Sequence, residues 1–214
     1  MTDMKRQSPV RFDARPEASV SREGWDVVTA YADEGPGPWL VDLSHQPRWD
    51  LQDGNLDAIA PAGHAVPGTP GACLMADHIL INRMNRTQAA LWHLGADGAV
   101  VLPSDSAYTD VSEATVFLAL FGPAVITVAE KLTALDFADP GQHAPFLYQG
   151  PVCRVPCQVV TLAREDDGSG GVLLTCSRGY ARDMVQAILA AGAACGLRPA
   201  GENRFRAWLD RLGT

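Results

Sequence analysis

Cys153 and Cys157, in the run "CRVPC", are the one closely spaced pair among five cysteines, and such a pair is half of a zinc site. A structural zinc needs four ligands, and no second pair follows. The five histidines (45, 64, 78, 93, 143) are dispersed as well, so the pattern predicts ordinary thiols and no metal. Asp42, Ser44 and His45 hold the residue types of a hydrolytic triad. Three residues so close along one strand cannot converge as nucleophile, base and orienting acid. No G-x-G-x-x-G opens a helix after a strand, and no P-loop is present; "DDGSGG" at 166–171 reads as a hairpin turn. Nothing here implies a cofactor of the chain's own.

The stretch "VDLSHQPRWDLQDG" (41–54) returns in altered form as "TDVSEATVFLALFG" (109–122). Asp42-Leu43-Ser44 matches Asp110-Val111-Ser112. An aromatic follows each Asp seven residues on (Trp49, Phe117), and a glycine twelve residues on (Gly54, Gly122). A repeat of 68 residues is too long for a solenoid and suits a duplicated supersecondary unit.

The elements that must carry these residues follow from periodicity. Strands are predicted at 25–31, 38–44 and 47–52, then at 73–77, 78–84 and 88–94. A short helix is expected after Gly54 with Asn55 as its cap. "NR" at 85–86 and "GADG" at 95–98 are turn chemistry. The second half repeats the theme: strands at 108–112 and 115–121, a helix from Gly122 with Pro123 in its first turn, a loop over 134–152, and a hairpin of "CQVVTLARE" and "GVLLTCS". A helix from Tyr180 carries a buried stripe of Tyr180, Met184, Ile188 and Leu189 and closes at Gly196, and "ENRFRAWLDRL" is a last short helix. Strands joined by short turns imply antiparallel pairing with helices on one face. The expected fold is α+β: a polar arm at 1–24 and two ferredoxin-like halves, 25–105 and 106–214, related by internal duplication.

Composition narrows the partners. Net charge is −8 with a pI near 5.0 and scattered basic residues, which argues against nucleic acid and anionic membrane. No apolar run approaches the roughly 20 residues that span a bilayer. The N-terminus has basic residues without an apolar core behind them, and the cysteines are odd in number and dispersed. Both point to the cytoplasm.

Three segments carry a resemblance. "YTDVSEATVFLALFGPAVITVAEKLTALDF" and "VDLSHQPRWDLQDG" resemble the Asp-hydrophobic-Ser segments of glycine-cleavage T-proteins, the aminomethyltransferases. "LLTCSRGYARDMVQAILAAGAACGLRP" is similar to the ending of the gamma subunit of heterotetrameric sarcosine oxidase, of the same superfamily. The three occur in the expected order over roughly residues 38–200, and the folate-binding fold of that superfamily contains an internal duplication.

The resemblance implies two functions. A T-protein moves a one-carbon unit onto tetrahydrofolate with a carboxylate near the reacting nitrogens. Asp77 stands where the family places it, with Arg83 six residues on and Tyr180 as the surviving aromatic of the pterin motif. The family's pterin-recognising Glu is missing from "CSRGYARDM", and its strand-end Asn is replaced at Gly95–Ala96. Pterin donors buried without that carboxylate would cost roughly 1–3 kcal/mol each. The family's C-terminal β-rich domain also has no room in this sequence. The resemblance therefore favours a non-catalytic gamma-type subunit of a sarcosine-oxidase-like, amine-demethylating flavin oxidase, with no cofactor of its own and larger subunits as partners. The alternative is a stand-alone tetrahydrofolate-dependent one-carbon transferase or folate-binding protein. Under the first reading, Phe146, Leu147 and Tyr148, in a stretch without periodicity, are the expected interface anchors.

Overall fold

A computed structural model describes residues 5–95 and 105–213. Thirteen strands and three α-helices are described. A two-stranded ribbon pairs β1 (Pro16–Arg22) with β2 (Trp25–Tyr31). A five-stranded antiparallel sheet runs in the order β5 (Cys73–Ala76), β6 (Ile79–Arg83), β7 (Gln88–His93), β4 (Arg48–Gln52), β8 (Tyr108–Asp110). A six-stranded sheet runs β10 (Phe146–Val152), β11 (Val155–Arg164), β12 (Gly170–Ser177), β9 (Thr115–Gly122), β3 (Trp39–Asp42), β13 (Arg198–Pro199). All its pairs are antiparallel except β13 on β3. The helices are α1 (Val125–Glu130), α2 (Ala181–Gly192) and α3 (Glu202–Leu209). The fold is mixed α+β with antiparallel sheets.

The period of two along β9 shows how the layers stack. Val116, Leu118 and Leu120 join the cluster under α1 and α2, whereas Phe117, Ala119 and Phe121 join the cluster between the two sheets. The five-stranded sheet does the same. Leu80, Ala90 and Trp92 face inward, and Ile79, Ile81 and Leu91 face a third cluster closed by Leu56 and Val66. The layers therefore run from helices through six strands and five strands to an irregular cover over 56–66, with α3 set at the edge of the inter-sheet core.

Each sheet takes a strand from the other's stretch of chain. β3 enters the six-stranded sheet and β8 the five-stranded one, so both cross the division at residue 105. The two Asp-x-Ser motifs make these crossings with the same bonds. Ser44 N–H donates to Asp42 Oδ1 at 2.9 Å, and Ser112 N–H to Asp110 Oδ1 at 2.8 Å. Ser44 Oγ accepts the Phe117 N–H at 3.2 Å, and Ser112 Oγ accepts the Arg48 N–H at 2.9 Å. The residues between them answer in kind: Leu43 N–H donates to Phe117 O, and Val111 N–H to Arg48 O. Each motif holds the strand that follows the other.

This register equates Phe117 with Arg48 and Leu118 with Trp49, one place off the seven-residue aromatic spacing. A one-residue slip reverses the face. Phe117 is accordingly buried between the sheets, while Trp49 packs half-buried on the far side of the five-stranded sheet. The extra residue lies between Ser112 and Phe117, where an alignment on aromatic type cannot see it.

Other expectations differ in detail. Residues 16–22 of the predicted arm are strand β1, paired to β2 of the same chain. The predicted loop over 134–152 ends in strand β10, whose Pro151 is tolerated because the strand lies at the sheet edge. The buried stripe of α2 is Ala181, Met184, Val185, Ile188 and Gly192. Tyr180 precedes the helix and is exposed, and Leu189 is half-buried. Gly196, at φ 77°, closes this segment in the left-handed conformation. Asn55 makes no side-chain cap; its own N–H is held by Asp53 instead. The turn expected at 95–98 lies outside the described residues from Ala96 onward.

Arg48 sits where the two motifs meet. It is 0% exposed and donates to Gln46 O (2.5 Å), Thr115 Oγ1 (3.1 Å), Thr115 O (3.1 Å) and Ser112 O. Its guanidinium lies 5.1 Å from the Phe117 ring centroid. Burial lowers its pKa to about 10, partly offset by Asp42 and Asp110, so it remains charged at neutral pH. Ser44→Ala and Ser112→Ala should each cost about 1–3 kcal/mol through an orphaned strand N–H. Arg48→Ala should cost about 3–5 kcal/mol. Urea denaturation checks all three, and a cost for Ser44→Ala alone would contradict the shared role of the serines.

Candidate functional site

β3 ends at Asp42, and the turn that follows fixes His45 and Gln46 beside the first turn of α3. There Glu202 is 1% exposed and collects donors from three directions. Arg22 Nη1 reaches both of its oxygens at 2.8 and 3.0 Å, Gln46 Nε2 lies at 2.9 Å, and Arg206 closes from one turn along α3. His45 Nε2 lies 2.9 Å from Glu202 Oε1 and donates there when it carries the proton. Burial by itself would raise the Glu202 pKa. The hydrogen bonds from His45 and Arg22, with the charge of Arg206, outweigh it and hold the carboxyl well below the usual range. Glu34 staples the same helix start, accepting the Gly201 N–H at 2.8 Å and pairing with Arg204 at 2.9 Å.

Beside His45 lies a cavity of about 90 Å³ between residues 8–12, the ribbon and β3, with Ser8, Trp25, Asp26, Tyr31, Asp42 and His45 as its hydrogen-bonding side chains. Ser8 donates its hydroxyl to Asp42 Oδ2. Burial, reinforced by Asp42 and Glu34, pushes the Tyr31 phenol up to about 12, so it stays a donor. At roughly 30 Å³ per water the space suits about three waters, well short of the roughly 300 Å³ at which ligand pockets begin. No triad forms: Ser44 Oγ takes the Phe117 N–H, and the Asp42 carboxylate is bound to Ser44 N–H and Ser8, not to His45.

The residues predicted for folate chemistry are not gathered together, and no hydrogen bond or ion pair joins any two of them. Asp77 is in the two-residue turn between β5 and β6, where Asp77 and His78 both have positive φ (48° and 61°), as a twisted hairpin requires. Its carboxylate is 84% exposed and, among the described residues, pairs with His64 at 2.9 Å. Arg83 is buried and its guanidinium is already engaged by Asp57 (3.0 Å), Asn85 O (2.7 Å), Pro67 O (3.1 Å) and Arg86 O (2.9 Å). It clamps the irregular cover onto β6. Tyr180 is 47% exposed. Among the described residues, no group of three or more His, Cys, Asp and Glu side chains is placed to hold a metal.

Phe146, Leu147 and Tyr148 open strand β10. Leu147 is 2% exposed in the inter-sheet core. Phe146 covers Gly71, where an added Cβ would stand 2.3 Å from the ring, and Tyr148 meets Phe137 edge-on at 5.1 Å. Leu147 is thus enclosed by its own chain, which leaves Phe146 and Tyr148 half-buried at the sheet edge.

Sequence reasoning missed Glu202, Arg22, Gln46 and Arg206. The Glu202–Arg206 spacing of four was visible, but it reads as a solvated helix pair. Nothing in the sequence brings residue 22 to residue 202.

No family model matches the chain. It is 33% identical over 141 residues to an aminomethyltransferase of Geobacillus thermodenitrificans, an overlap of 63% of this chain. The chain spans about a third (36%) of that relative's length. Two solved structures share the fold at 14% identity and a TM-score of 0.60. One is a chain of the heterotetrameric sarcosine oxidase from Corynebacterium sp. U-96, with 72% of this chain and 83% of that one superposed. The other is the glycine cleavage system aminomethyltransferase T from Bartonella henselae, with 88% of this chain and 57% of that one. The chain carries the fold of the T-protein folate-binding superfamily, as its three motifs imply. Among the described residues, no helix is long and apolar enough to cross a membrane.

The Glu202 network sets an acid sensitivity. Its folded pKa lies below the ordinary 4.5, so as pH falls the unfolded chain takes up the proton first. Its stabilisation is complete above pH 4.5 and is lost as pH falls from there through the folded value. Glu202→Gln should destabilise by about 3 kcal/mol at neutral pH and flatten the acid limb of a stability-versus-pH curve measured by urea titration. An unchanged acid limb would remove Glu202 as its source.

Proposed function

We propose that the chain is a non-catalytic gamma-type subunit of a sarcosine-oxidase-like, amine-demethylating flavin oxidase of the cytoplasm. In this reading it carries no cofactor, and the larger subunits hold the flavin and the folate. The observation that carries the reading is the commitment of the residues a folate site would need. Arg83 is engaged by its own loops, Asp77 is solvated in a turn, and Tyr180 lies exposed ahead of α2, with no hydrogen bond or ion pair joining any two of them. The shared fold with a chain of the Corynebacterium heterotetrameric oxidase supports the same choice. The reading takes 25–105 and 106–214 as halves descended from one ferredoxin-like unit, with 1–24 as an appended arm. The reciprocal Asp-x-Ser bonds support it.

The second reading, tetrahydrofolate-dependent one-carbon transfer or folate binding, is favoured by the 33% identity to an aminomethyltransferase. Calorimetric titration separates the two. Tetrahydrofolate should bind the isolated chain more weakly than about 1 μM, roughly −8 kcal/mol. Tighter binding overturns the subunit reading, and Asp77→Ala should then abolish transfer while leaving the melting temperature unchanged.

A stable subunit contact buries about 1,200 Å² or more. The arm and the edge strand β10 are the surfaces we assign to it. Co-expression with larger flavin-oxidase subunits should yield a complex that Phe146→Ala with Tyr148→Ala weakens. A large fall in melting temperature with partners still bound would return both rings to a purely internal role.

A further inference from the structure

Cys157 and Cys176 are direct cross-strand partners in the antiparallel pair β11–β12. Both are free thiols, 6% and 5% exposed, and both border a surface pocket of about 360 Å³ shared with Gln149, Gln158 and Thr175. We infer that Cys157 and Cys176 form a reversible oxidation site that closes to a disulfide by exchange with a low-molecular-weight disulfide.

The strand register places them in reach. Directly opposed residues of an antiparallel pair have Cα atoms roughly 4.5 or 5.5 Å apart. Both spacings fall inside the roughly 4.4–6.8 Å that a disulfide spans. Their Cβ atoms, roughly 4.5–5.5 Å apart in such pairs, must draw in toward the roughly 3.8 Å typical of a disulfide. The closed bond is therefore strained and easily reduced, which suits a reversible site and not a permanent staple. The pair also lies near strand ends, Cys176 one residue before β12 finishes and Cys157 two after β11 begins, where a small inward shift disturbs few ladder bonds.

The two thiols face each other across the ladder, Cys157 Sγ donating to Val155 O at 3.2 Å and Cys176 Sγ lying 3.7 Å from Ser177 O. Their mutual interaction lowers the Cys157 thiol and raises Cys176, which favours Cys157 as the attacking group. Its thiolate displaces one thiolate from the small disulfide and forms a mixed disulfide. Cys176 then gives up its proton and attacks the Cys157 sulfur, releasing the second thiolate. The protons of the two cysteines end on the two released thiols, and the small disulfide is reduced by two electrons. Cys153, exposed in the β10–β11 turn, has its pKa raised by burial and by Cys157. It is the competing partner the experiment must discriminate against.

The reduced full chain is incubated with oxidised glutathione, alkylated under denaturing conditions, digested and mapped by mass spectrometry. The expected result is a Cys157–Cys176 linked peptide, loss of two of the five alkylatable thiols, and full recovery with dithiothreitol. Cys176→Ser should trap glutathione on Cys157, and Cys153→Ser should leave the linked peptide unchanged. Five alkylated thiols after oxidation, a Cys153–Cys157 link, or glutathione on Cys153 alone would overturn the inference. Loss of the linked peptide in Cys153→Ser would overturn Cys157 as the attacking thiol.

Discussion

The buried guanidinium of Arg48 is the constraint on which the rest of the architecture depends. A charge removed from water is costly unless every donor finds an acceptor. Here the acceptors are carbonyls and hydroxyls of both Asp-x-Ser loops and of the β9 entrance, so the cation can be buried only when both loops are in place. That requirement couples the two sheets. β3 and β8 each leave their own stretch of chain for the other sheet, and the side chain that repays both crossings sits at the start of β4. With Asp42 and Asp110 nearby, the field favours the charged form even as burial opposes it.

A second polar centre does the equivalent work at the edge of the core. Glu202 draws the ribbon, the β3 exit and α3 together. Phe205, Trp208 and Leu209 can then close the inter-sheet cluster from the side. Its four donors come from residues 22, 45, 46 and 206, so the network forms only after the chain has returned to its beginning. Apolar layers supply most of the burial; the two polar centres select which layers meet.

Much of this was legible in the sequence because most strands here obey one rule, apolar alternation bounded by turn residues. β2, β4, β6, β7, β9, β11 and β12 fall where periodicity puts them. β1 and β10 do not: β1 is almost wholly exposed, and β10 carries Gly150 and Pro151, residue types that read as loop. The site was less legible. Asp42, Ser44 and His45 were visible as a motif, but the duties they perform, holding strand entrances and a distant carboxylate, depend on contacts across the fold. Arg83 illustrates the limit. Its position matched a family pattern, yet only the surrounding loops reveal that its guanidinium is engaged by them.

The crossing of β3 and β8 also bears on how the polypeptide is made. Residues 39–42 leave the ribosome early, but the strand that β3 must pair with begins only at Thr115. Until then a segment rich in apolar side chains has an open edge and no native neighbour. Long-range pairing of this kind slows folding and prolongs exposure to other chains. The Asp-x-Ser turns, which need only three consecutive residues to form, can shape that edge while it waits. The nascent chain thus carries its docking geometry in advance of its docking partner, a favourable arrangement for a protein whose two sheets must be completed together.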